Sequence, residues 1–179
     1  MPYSIEEHQH RLAAWDAATS ASASRLCRFR VQVGIDILEA CGFNAQLASP
    51  DQLPAPESID DEHEKWRNKV IAKAGEKEII FTHGVAAKLI NCYLKVRFVC
   101  AGQHEHERVK CLHPPIDATL LRVLKEANVG GFRSDWKRLH DTRWSKFNSL
   151  QYEEVIRLIR LSIPGRPLWE IEKFWRGYQ

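Results

Sequence analysis

Between Phe81 and Cys100 the chain reads FTHGVAAKLINCYLKVRFVC, and in a helix this run is apolar on almost every side. A helix with one apolar stripe lies on a surface, whereas one apolar nearly all round is buried on several sides. The fold is therefore expected to be assembled around this segment. A polar stripe of Lys88, Asn91 and Lys95 recurs at helical spacing. That stripe either faces water or marks a site.

The flanking segments also carry helical signals. Ser4-Ile5-Glu6-Glu7 forms a capping box, and Leu12, Trp15, Ala18 and Thr19 continue at helical spacing to about Ala23. A second helix is predicted from Phe29 to Cys41, stopped by Gly42, although the alternation of Val31-Gln32-Val33 also suits a short strand. Three prolines between Asn44 and Ser58 make a connecting loop, a candidate boundary between a small lobe (residues 1–58) and a core (59–179) within one domain. Helices follow over Ile59–Ala74, from Val85 to about Cys100, after Asp117, over Ser134–His140 and over Tyr152–Ile163. Thr142 to Asn148 reads as a loop or turn, and an aromatic helix around Leu168–Trp175 closes the chain. The fold class is all-α.

Composition narrows the function classes. With 179 residues and six tryptophans the chain suits one globular domain with a proper core. No apolar run approaches a membrane span, and the start lacks the layout of a signal peptide, so a cytoplasmic protein is expected. The five cysteines are odd in number and widely spaced, which implies free thiols and no iron-sulfur centre. His104, His106, Cys111 and His113 lie near one another in sequence, but such spacing is weak metal evidence, and neither metal nor cofactor is expected. Charge is uneven. Met1–His83 holds 9 basic and 13 acidic residues, Gly84–Asp117 holds 5 and 3, and Ala118–Gln179 holds 12 and 7. A basic back half suits a phosphate backbone or an ordinary solvated surface equally.

Two residues carry the chemistry. Lys88 near the head of its helix would sit at the positive end of the backbone dipole, and partial burial adds to that, so a neutral, nucleophilic amine is expected. Asp117, after Pro114-Pro115-Ile116 and before an apolar run, stands where a carboxylate caps a helix.

The combination of Gly84-Val85, Lys88 and Pro115-Ile116-Asp117 resembles the catalytic core of the helix-hairpin-helix DNA glycosylase superfamily. Ala86 and the long spacer from Gln103 to His113 look more like its 8-oxoguanine glycosylase branch. The resemblance implies double-stranded DNA as partner, Asp117 assisting departure of a flipped base, and Lys88 forming a Schiff base if the enzyme is also a lyase. The substrate would be an oxidised purine or, in phage defence, a modified cytosine. Trp15, Trp144 and Trp175 are candidates to sandwich the base, with His83, Gly84 and Asn91 beside it as contacts or edge readers. Arg143, Lys146 and Arg166 are candidates to reach phosphates. Two other readings stand. Arg133 and His140 have the spacing of a helical ribonuclease of toxin and defence systems, and the basic back half with its tryptophans would suffice for a non-enzymatic helical nucleic-acid-binding module.

Overall fold

The computed structural model describes residues 3–24 and 27–177, and among these there is helix and no strand. Helix α1 runs Ile5–Ser22, capped by the Ser4 hydroxyl, which accepts from the Glu7 N–H at 3.2 Å. Its inner face is built from Ala13, Ala14, Ala17, Ala18 and Ala21, all buried, and side chains this small let a neighbouring helix lie close. Helix α2 (Val31–Ala40) uses that closeness: a Cβ on Gly34 would stand 2.7 Å from the Ala18 Cβ. The alternating segment is thus helical, and Gly42 ends the region at φ +72°. A short α3 (Phe43–Gln46) and the proline-rich connection lead to α4 (Ile59–Gly75).

The central helix α5 spans His83–Leu94 and continues as π-helix over Lys95–Gln103. From Gly84 to Leu94 every residue is buried, as its all-round apolar character requires. After the four-residue α6 (Glu107–Lys110) come α7 (Ala118–Glu126), α8 (Arg133–Thr142) and α9 (Ser149–Ser162). The aromatic C-terminal segment Leu168–Phe174 is 3-10 helix, and Leu168 and Ile171 dock it on the core.

The core falls into two clusters that meet at α5. One gathers buried residues from Ala13 to Leu112, and the other joins Ala87 to residues from Ile116 to Ile171. Within the first cluster α1 packs chiefly against α5 and α2. Among the described residues no helix is long and apolar enough to cross a membrane.

Candidate functional site

Lys88 and Asp117 meet. Helix α5 begins at His83 rather than Val85, capped by Thr82, whose hydroxyl accepts from the Val85 N–H at 3.2 Å. Lys88 is therefore in the second turn, beyond the strongest part of the helix dipole. Asp117 caps α7 as expected, Oδ1 accepting from the Leu120 N–H at 2.8 Å. Its other oxygen, Oδ2, accepts from Lys88 Nζ at 3.2 Å and from the Trp175 indole N–H at 2.9 Å.

This pairing corrects the expectation of a neutral amine. Burial works against the Lys88 ammonium, but Cys92, Asp117 and Glu172 outweigh it and hold its pKa above the ordinary lysine value. Of these, Asp117 is the one that touches the amine, and burial pushes the Cys92 thiol up. The resting site is an ammonium–carboxylate pair.

The pair opens onto a cavity of about 280 Å³. Pro115 and Trp175 line it beside Asp117, and Cys92 and Lys95 continue the Lys88 wall. Lys95 is ion-paired with Glu172, whose carboxyl is pushed up by burial against the pull of Lys95. Asp16 and Ser20, one turn apart on α1, also line the cavity. Sequence reasoning missed these two and Glu172. The one local trace was a polar i, i+4 pair beside the all-alanine face of α1.

Asn91 is not an edge reader. It is 0 % exposed and its amide is fully engaged. Its oxygen faces His63 Nε2 at 2.7 Å, and its Nδ2 donates to the Pro114 carbonyl and to the Tyr152 hydroxyl, both at 2.9 Å. These bonds fix a direction along the network: Tyr152 donates to His113 Nδ1 (3.0 Å), and His113 Nε2 donates to Asp60 (2.8 Å), which Arg160 grips with two further bonds. Burial pushes the pKa of His63 well below the usual histidine value, and lowers that of His113 despite Asp60. Both rings are neutral. The network clamps the backbone that carries Asp117.

The other expected site residues scatter. Gly84 serves an internal contact: a Cβ there would stand 1.8 Å from the Trp144 carbonyl oxygen, and its N–H donates to Phe147 at 3.2 Å. His83 is half-buried, its Nδ1 unpartnered, and burial and the charge of Arg67 lower its pKa. It does not line the Lys88 cavity. Trp144 lines a second pocket with Arg143 and His140, on the other side of the Asp117–Ala118 junction, and Lys146 is exposed beside it. Only Trp175 of the three tryptophans reaches the cavity; Trp15 is 54 % exposed on the outside of α1. Arg166 is paired with Glu170.

Arg133 and His140 lie about two turns apart on α8, roughly 10 Å along its axis. His140 faces Asp141, and Arg133 does not join it in its pocket. Of the four metal-ligand candidates, His106 bonds Asp51 and His113 is committed to Tyr152 and Asp60. Among the described residues no group of three or more potential ligands is placed to hold a metal ion.

No family model, curated protein or solved structure matches the chain.

Proposed function

We propose that the protein is a DNA glycosylase that takes a damaged or modified base out of the duplex and cleaves its N-glycosidic bond at the Lys88–Asp117 pair. The observation that carries this reading is the 3.2 Å contact between an ammonium and a helix-capping carboxylate at the wall of a cavity of about 280 Å³. That volume lies just below the usual range of ligand pockets, about 300–1,000 Å³, and suits one base rather than a pair. When the C1′–N bond breaks, its electrons leave with the base and positive charge develops on the sugar. Asp117, oriented by hydrogen bonds from the Leu120 N–H, Lys88 and the Trp175 indole, stabilises that charge. The Lys88 ammonium is a proton donor for the departing base. Having given up that proton it is an amine and can bond to C1′, whereas attack by water leaves an intact abasic site. Trp144, Arg143 and Lys146 lie on the far side of the Asp117–Ala118 junction and supply an aromatic and cationic surface for the duplex.

The test is a base-release screen on duplexes carrying 8-oxoguanine, uracil, alkylated purines or modified cytosines. Asp117→Asn is expected to lower release by about 10²–10⁴-fold. Borohydride trapping then separates the routes: an adduct absent from Lys88→Gln makes the enzyme a lyase as well. Release from no substrate, with nucleic acid still bound, would turn the reading to a binding module.

A further inference from the structure

Helix α1 carries apolar residues on two opposite sides. One side is the alanine face that packs on α5 and α2. The other holds Ile5, His8, Leu12, Trp15 and Thr19, all exposed and spaced alternately three and four residues apart. Ile5 is 63 %, Leu12 49 % and Trp15 54 % exposed, so large apolar side chains stand in water along one line of the helix. Alternating steps of three and four residues are those of the seam along which two helices pack side by side. Exposed apolar surface gathered in one place marks a contact with another molecule. Charge narrows which one. Between Ile5 and Ser22 there are three acidic residues, Glu6, Glu7 and Asp16, against one basic residue, Arg11. That balance repels nucleic acid and anionic membrane surfaces and leaves a protein helix as the partner.

We propose that this stripe is a self-association surface, on which α1 of a second copy of the chain packs in parallel. The flanking charges fit that partner. At about 100° per residue, Arg11 and Asp16 lie about 140° apart around α1, one on either side of the stripe. When two helices pack in parallel along such a seam, a flanking residue of one meets the residue five positions further along the other. Arg11 of each copy therefore meets Asp16 of the other, and two-fold symmetry makes the contact twice. Within one copy Arg11 reaches only Glu7, at 2.6 Å, with its side chain 66 % exposed, and lies over the Tyr3 ring. Asp16 has no hydrogen bond or ion pair among the described residues. An antiparallel pair would instead set the two Arg11 flanks against each other. Asp16 also lines the Lys88 cavity, so the interface runs along the edge of that site. Self-association of this kind is independent of base excision.

Sedimentation equilibrium from micromolar to submillimolar chain should show the average mass rising toward that of two chains. Leu12→Glu sets two carboxylates against each other in the seam and should weaken association by about 10²-fold. Arg11→Asp and Asp16→Arg each turn two attractions into two repulsions, and each should weaken it by about threefold to tenfold. Mixed in equal amounts, these two variants should bind each other as tightly as the wild type binds itself, because opposite charges then meet at both contacts. Thermal unfolding checks that each variant keeps its fold; if Leu12→Glu does not, the mixing experiment decides. A wild type that stays monomeric at every concentration overturns the proposal. So does association unchanged in folded Leu12→Glu, or a pair of single variants that mixing does not rescue.

Discussion

Helix α5 grips the segment Pro114–Asp117 twice, through two side chains three residues apart, and the grips differ in kind. Asn91 holds the Pro114 carbonyl and Lys88 holds the Asp117 carboxylate. The amide is closed inside a network of His63, Tyr152 and His113, while the ammonium stands at the wall of a cavity. A neutral amide whose hydrogen bonds are all made can be sealed off at little cost. A charge is costlier to bury, because desolvation of an ion pair can exceed its attraction. The neutral grip fixes where the backbone lies, and the charged one is free for chemistry.

If that division is right, the largest loss of stability comes from the neutral side. Asn91→Ala strands the Pro114 carbonyl and the His63 N–H, each orphan costing about 1–3 kcal/mol, so a total of about 2–6 kcal/mol is expected in denaturant unfolding. A change below 1 kcal/mol would mean the clamp does not hold the segment.

Acid should act on the same network. His63 and His113 have folded pKa values below the ordinary 6.5, so their contribution is fully present above that pH. As pH falls below 6.5 the unfolded chain takes up protons that the folded chain refuses, and stability drops until the folded values are crossed. The Asp60 carboxylate, held low by His113 and Arg160, loses its contribution only in stronger acid. Unfolding free energy followed from pH 7.5 to 5 checks the sign, and a flat profile would contradict it.

The smallest effect should come from the charged grip. Lys88→Gln keeps a donor for Asp117, which is still about one-fifth exposed and still bonded by the Leu120 N–H and the Trp175 indole, so the loss is expected to stay within about 1 kcal/mol, below the roughly 3–5 kcal/mol of a fully buried pair that loses one partner. A loss exceeding that of Asn91→Ala would reverse the comparison.

Much of the frame was legible in the sequence. The buried character of α5, the Ser4 and Asp117 caps and the close of α2 before Gly42 all rest on interactions within a turn or two of chain. Other features were hidden even where the residues had been noticed. Gly84 was expected beside the base, but the helix starts earlier, at the Thr82 cap, and the glycine instead lets α5 approach the Trp144 carbonyl. Asn91 looked like part of a solvated or substrate-facing stripe until Tyr152, 61 residues away, and His63, 28 residues away, closed around it. Lys88 seemed set to lose its proton because burial and dipole were visible, whereas its compensating carboxylate was not yet placed.

By itself, then, the sequence determined an all-helical chain wrapped around one buried helix, with a lysine and a capping aspartate as its most conspicuous chemistry. Only the tertiary structure decided that Lys88 is paired and protonated, that Asn91 is a clamp, that Trp144 and Trp175 serve different pockets, and that Asp16 and Glu172 belong to the site. The reason is one of range. Periodicity and caps are set by neighbours along the chain, but which side chains share a cavity depends on how helices distant in sequence are rotated and seated on one another.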